Sequence, residues 1–222
     1  MAINTIDDLE DRLDNAISWR RVELSALKSA VEQAESRSPG SPLSRALARS
    51  GVAMLYAHWE GFVKEACQAY VDYVAKRRLK CSELNDGLLR TVLLGLHKRA
   101  LGGDQLANDD LIQIARRPEQ TRAKIPRTTI VDTKSNLRYS VLADILCSIG
   151  ISMDKFATKS HLVDRSLCDV RNSIAHGRDL FPSEGDFSEL HHEVIVMIED
   201  LRDLILANAR QGLYKAPADP SS

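Results

Sequence analysis

A chain of 222 residues with 44% hydrophobic content can bury a substantial core and fits one large domain or two small ones, of which one is the expectation here. Thirty Lys and Arg stand against 31 Asp and Glu, a formal charge of -1, which excludes a global field drawing the chain to nucleic acid or an anionic membrane; any phosphate binding must come from local clusters. Cys67, Cys81, Cys147 and Cys168 lie far apart with no CxxC pair, the opening MAINTIDDLEDRLDNA is acidic rather than signal-like, and no uninterrupted apolar run is long enough to span a bilayer, so a reduced, soluble, cytoplasmic protein without a membrane is expected.

In chain order, apolar residues recur at three, four and seven from Thr5 to about Ala34 (Ile6, Leu9, Leu13, Ile17, Leu24, Leu27, Val31). This pattern predicts a long amphipathic helix, with Thr5 as N-cap and Asp8 three residues on. RSPGSP, Arg37 to Pro42, denies helical geometry and marks a connection. A second long helix is predicted from about Ser44 to Leu79, with Leu55, Trp59, Phe62, Val63, Ala66, Tyr70 and Tyr73 inward and Glu60, Lys64, Gln68, Asp72 and Lys76 outward. Shorter helices are expected near Glu83 to Ala100 and Asp109 to Arg116, separated by Gly102 and Gly103. PRTTIVDTKSN, Pro126 to Asn136, has the β-branched bias of an extended segment or small hairpin inserted among helices. Helices resume over about Asn136 to Gly150, Ser160 to His176 and Asp186 to Gln211, and the Pro/Ala/Ser-rich end of the chain, within residues 212–222, is expected to be disordered. The fold class is therefore all-α, a bundle of long antiparallel helices with a short extended and basic insertion, arranged as a single domain over residues 1–211.

The stretch VRNSIAHG, Val170 to Gly177, places Arg, Asn and His at the end of an otherwise apolar helical segment. At 100° per residue, Val163, Leu167, Val170 and Ile174 share a narrow arc, the core face; Asn172 and His176 lie opposite with Arg165 and Asp169, and Arg171 falls between. The polar group would then sit on the free side of the helix, before Gly177 stops it, where alanine at Arg171 or His176 should cost little stability. These residue types suit RNA phosphodiester cleavage by the adjacent 2'-hydroxyl, which needs no cofactor. A histidine can move protons between attacking and leaving oxygens, and a guanidinium can neutralise charge building on the phosphoryl oxygens. Asn172, one turn from His176, can bond the ring or a phosphate. The five-residue spacing turns Arg171 and His176 well apart on one regular helix, so two copies facing each other would bring them together better than one chain can. Arg90 and His97 in RTVLLGLH meet the same loose spacing, but with almost wholly apolar residues between them they read as part of a structural helix. A solvated helix end, where Arg and His meet terminal carbonyls, is the plain alternative for Arg171 and His176.

RNSIAHG before a C-terminal helix, together with YAHWEGFVKEACQAYV at Tyr56 to Val71, resembles the HEPN superfamily, in particular its bacterial branch with an HWEGF-type second helix. The resemblance covers most of residues 1–210. It implies an all-α, commonly dimeric protein, and many members are metal-independent endoribonucleases acting as toxins of toxin-antitoxin pairs or in antiviral defence. The family pattern of Arg, a polar residue, three further positions and His maps onto Arg171, Asn172 and His176, which become the candidate catalytic residues, with Asp169, Glu60 and Lys64 as possible support. Glu60 and Lys64 read independently as an i,i+4 surface pair, and Trp59, Phe62 and Tyr70 as core. HHE at His191 to Glu193 lacks the helical spacing of a zinc site, and no metal set is expected elsewhere. His58 and His161 have no partner visible in the sequence.

Between Arg116 and Arg138 the basic residues Arg116, Arg117, Arg122, Lys124, Arg127, Lys134 and Arg138 face only Glu119 and Asp132, so this insertion could grip an RNA backbone, chiefly through the first five. A charge run is more often plain solvated surface. Two readings follow: a dimeric endoribonuclease acting on RNA, restrained by an antitoxin or nucleotidyltransferase partner, or a non-catalytic helical interaction or RNA-binding module using the same dimer surface.

Overall fold

The computed structural model describes residues 3–178, 180 and 182–217. Seven α-helices organise it: α1 (Ile6–Arg37), α2 (Pro42–Lys76), α3 (Asp86–Leu101), α4 (Gln105–Arg116), α5 (Tyr139–Ser148), α6 (Val170–Ala175) and α7 (Glu184–Gln211). Among the described residues there is no strand, only isolated bridges at Lys80–Arg122 and Leu84–Lys215, so the all-α class holds. No helix among them is long and apolar enough to cross a membrane.

The helices start where their caps dictate. The Thr5 hydroxyl accepts the Asp8 N–H at 3.0 Å while the Asp8 carboxylate accepts the Thr5 N–H at 2.9 Å, closing the box read from the sequence. Ser41 caps α2 with Pro42 in its first turn, so the RSPGSP connection ends closer to the helix than composition alone indicated. Asp104 caps α4, which begins earlier than its apolar periodicity because the cap sets the start. Ser183 and Asp186 form a second reciprocal box at the start of α7, which ends at Gln211 as expected.

Helices α1, α2 and α7 pack on one another, and α2 is the central member, with Trp59, Phe62 and Tyr70 fully buried. Gly51 lets α2 and α7 approach closely: a Cβ there would stand 2.4 Å from the Phe187 ring, itself fully buried, so this position takes glycine despite the helix-propensity cost. Helices α3 and α4 pair to one side, with α5 against α3.

Two expectations are corrected here. Pro126 to Asn136, expected as an extended segment or small hairpin, pairs into no hairpin; it alternates turns with irregular backbone between helices that offer no ladder, with Thr133 Oγ1 bonded to Glu60 and the following Leu137 N–H to Tyr56, both on α2. It plugs Ile130, Thr133 and the following Leu137 into the core. The expected tail begins ordered: Tyr214 is buried edge-on to Tyr73, its carbonyl accepts the Asn85 N–H at 3.0 Å, and Ala216 N–H bonds the Glu83 carbonyl at 2.9 Å. Residues 218–222 of that expected tail lie outside the described residues.

Candidate functional site

The segment carrying VRNSIAHG is not one regular helix. Leu162–Asp169 winds as a π-helix and passes into α6, a six-residue α-helical stretch. The wider winding changes which side chains face inward: Val163 and Leu167 are fully buried, as the 100° reading had it, but Cys168 is too, while Val170 and Ile174 are only half-buried. The end of α6 follows the sequence signal. Gly177 has φ 68°, its N–H bonds the Ile174 carbonyl at 3.0 Å, and Arg178 N–H bonds the Ser173 carbonyl at 2.9 Å, a Schellman closure that leaves His176 exposed at the cap.

Beside this turn lies a cleft of about 560 Å³ lined by Asn136, Asp169, Asn172, Ser173, His176 and Arg178. It brings three of the expected site residues together: Asp169, Asn172 and His176. The Asp169 carboxylate is held below its ordinary range by hydrogen bonds from Arg138, at 2.7 Å, and from Arg165, at 3.1 Å.

Arg171 is placed differently. It does not line the cleft but lies half-buried, its guanidinium 3.9 Å from the centre of the Tyr56 ring. Its Nη2 donates to the Ser135 carbonyl and to Asn136 Oδ1, both at 3.3 Å, and its Nε is buried without an acceptor among the described residues. The free-face reading of Arg171 is therefore corrected, and from this placement alanine there is now expected to cost stability. Helical rotation could not show this, since the partners come from α2 and from the 126–138 loop.

Tyr56 ties these parts together. Its hydroxyl accepts the Leu137 N–H at 2.7 Å and faces Glu60, and burial, against that backbone bond, pushes its pKa up to about 12; it stays a neutral donor to Glu60. Burial opposes the charge on Glu60, but bonds from Thr133 (2.5 Å), Lys64 (3.0 Å) and Tyr56 outweigh it and hold the carboxyl below its ordinary value. Glu60 and Lys64 thus form the expected i,i+4 pair, and Glu60 also anchors the loop that carries Asn136.

Of the basic segment, Lys124 pairs with Asp110 at 2.7 Å, Arg127 with Asp72 at 2.7 Å and Arg138 with Asp169; Arg116, Arg117 and Arg122 are exposed. Arg116, Arg117, Arg122, Lys124 and Arg127 all lie outside the cleft lining. Arg90 and His97 stand exposed on α3, with Arg90 Nη1 3.5 Å from Cys147 Sγ, and they too are outside the cleft. His58 has a partner after all: its buried ring lies against Trp19, with Nε2 2.9 Å from Glu23 Oε2 though not aligned as a hydrogen bond. Among the described residues no three His, Cys, Asp or Glu side chains converge as a metal-binding set.

Sequence reasoning missed Asn136 and Arg178. Arg178 was within reach, following the HG turn directly; Asn136 was not, being brought in by the loop.

A family model described as RiboL-PSP-HEPN matches residues 15–207. The chain belongs to the HEPN family. Its RNSIAHG turn and its HWEGF segment, Arg171 to Gly177 and His58 to Phe62, both fall within the matched span. No curated protein and no solved structure matches it.

Proposed function

We propose that this HEPN protein is an endoribonuclease that cleaves RNA by attack of the 2'-hydroxyl on the adjacent phosphorus, working as a dimer and serving as a toxin or defence effector held in check by a partner. The observation that carries the reading is the cleft that gathers His176, Asn172 and Asp169, with the positive charge of Arg171 directly behind it. In this reaction His176 takes the 2'-hydroxyl proton as the new P–O2' bond forms. A proton is returned to the 5'-oxygen as the P–O5' bond breaks, leaving a 2',3'-cyclic phosphate and a free 5'-hydroxyl. Guanidinium charge at the cleft offsets the charge on the phosphoryl oxygens. His176, exposed at the helix end, is available to a second copy of the chain across a two-fold axis, which supplies the other half of the acid–base work.

Wild type and His176→Ala, each incubated with RNA in excess EDTA, test this: wild type should produce 2',3'-cyclic phosphate or 3'-phosphate ends with 5'-hydroxyls, and His176→Ala should not. Ends carrying 5'-phosphate would defeat it. A second reading is favoured by the engagement of Arg171 with Tyr56 and the loop, the arrangement of a structural arginine: a non-catalytic module binding RNA or a protein through the same face. Binding without cleavage by wild type would select it.

A further inference from the structure

The six residues lining the cleft include one guanidinium, and it belongs to Arg178, not Arg171. Arg171 reaches the cleft only through Asn136, whose Oδ1 accepts from Arg171 Nη2 at 3.3 Å. With the amide oxygen taken, the two N–H donors of the Asn136 side chain remain, and they have no protein acceptor among the described residues. Resting on the RNA-cleaving reading above, we infer that the phosphate seat of this cleft is made by the Asn136 amide and the Arg178 guanidinium, and that Arg171 is a positioning residue that orients and polarises Asn136 from behind.

The loop is built as such a role requires. Asn136 follows two non-glycine residues in the left-handed region, Lys134 at φ 51° and Ser135 at φ 55°, a conformation that side chains with a Cβ adopt only where the surroundings hold them in it. Bonds on both sides hold it there: Lys134 N–H to Asp132 Oδ1 at 2.8 Å, Asn136 N–H to the Thr133 carbonyl at 3.0 Å, Thr133 Oγ1 to Glu60, and Leu137 N–H to the Tyr56 hydroxyl. Cys168 Sγ, from the π segment, donates to the Leu137 carbonyl at 3.2 Å, and Arg138 grips Asp169 across the cleft wall. The same strained turn presents the Ser135 carbonyl to Arg171, so guanidinium and amide are fixed as a unit. An amide donor oriented in advance and an exposed arginine suit a phosphodiester oxygen, which accepts several bonds at once.

The test uses the full chain and a labelled 2'-O-methyl RNA of mixed sequence, which has phosphates but no free 2'-hydroxyl and reports binding apart from cleavage. Asn136→Asp keeps an acceptor for Arg171 while removing both donors, and Arg178→Ala removes the exposed guanidinium. Each should weaken probe binding about tenfold or more at an unchanged melting temperature. Because Arg178 is exposed, its variant decides the matter even if the loop variants fold poorly. Arg171→Ala in an Asn136→Ala background should add less than about twofold to the loss, since its effect passes through the amide. Unchanged binding by Arg178→Ala or Asn136→Asp, full additivity of Arg171→Ala and Asn136→Ala, or no probe binding by wild type would overturn the inference. Wild type that binds the probe and loses it in these variants, yet cleaves no RNA, would leave the phosphate seat standing and remove the nuclease reading. Wild type that cleaves RNA while Asn136→Asp cleaves and binds equally well would do the reverse.

Discussion

At the residue scale, Arg171 and His176 come from one short motif but stand in opposite situations. His176 is exposed at a helix cap, so His176→Ala should shift stability by no more than about 0.5 kcal/mol while abolishing RNA cleavage. Arg171 stacks on Tyr56 and ties the loop to α6, and Arg171→Ala should lower unfolding free energy by about 1–2 kcal/mol in urea titration as well as impairing the site. Equal stability losses for the two variants would contradict this division. Tyr56→Phe keeps the ring under the guanidinium but leaves the buried Leu137 N–H without its acceptor, and should cost about 1–3 kcal/mol. Loss of Glu60 charge by Glu60→Gln is milder, because Thr133 and Lys64 can still bond the amide oxygen.

At the scale of elements, two buried histidines lie where α1 packs onto α2 and α7. His58 on α2 faces Glu23, Arg20 and Trp19 of α1; burial, helped by Arg20, outweighs Glu23 and lowers its pKa from the ordinary 6.5. His191 on α7 faces Lys28 and Glu32 of α1, with His192 beside it, and burial again lowers the pKa first, with Lys28 adding to it. Below pH 6.5 the unfolded chain takes up these protons before the folded one does. Stability is therefore full above that pH and declines as pH falls toward the depressed folded values. Thermal melting from pH 7.5 downward should show the decline, and His191→Gln should flatten it; a midpoint that rises on acidification through this range would refute the account. Between α2 and α7, Gly51→Ala drives a Cβ into Phe187 and should destabilise by about 1–3 kcal/mol, although alanine is the better helix former.

At the scale of the whole molecule, a charge of -1 leaves the proposed RNA recognition to local groups, and in the basic insertion Lys124, Arg127 and Arg138 are already paired with carboxylates. Salt should therefore weaken RNA binding with a shallow slope, about one or two phosphate contacts' worth per cleft, and Arg178→Ala should reduce that slope more than Lys124→Ala. A steep slope that collapses on neutralising Arg116, Arg117 and Arg122 would return the insertion to the role its composition pointed to. The proposed dimer makes a separate claim: light scattering should report two chains per particle under the conditions in which RNA is cleaved, and a monomer that cleaves would rule out a composite site.

The long helices and several helix ends were legible in the sequence, because periodicity, capping boxes and terminating glycines act over a few residues; the start of α4 and the π winding ahead of α6 were not. The Thr5–Asp8 box, the Gly177 turn and the Gln211 end of α7 all follow from neighbours in the chain. The family resemblance was equally local, carried by RNSIAHG and HWEGF. What tertiary structure decided was which side chains share the cleft. Arg171 meets Ser135 from 36 positions away, Leu137 bonds a tyrosine 81 positions earlier, and Thr133 reaches a glutamate 73 positions back. The π winding of Leu162–Asp169 goes together with this packing, Cys168 being buried with its Sγ on the Leu137 carbonyl. Helical rotation assigns faces only while the helix is regular and its neighbours are unknown. Here an irregular turn and a strained loop moved the guanidinium of the motif behind an asparagine that local pattern could not connect to it.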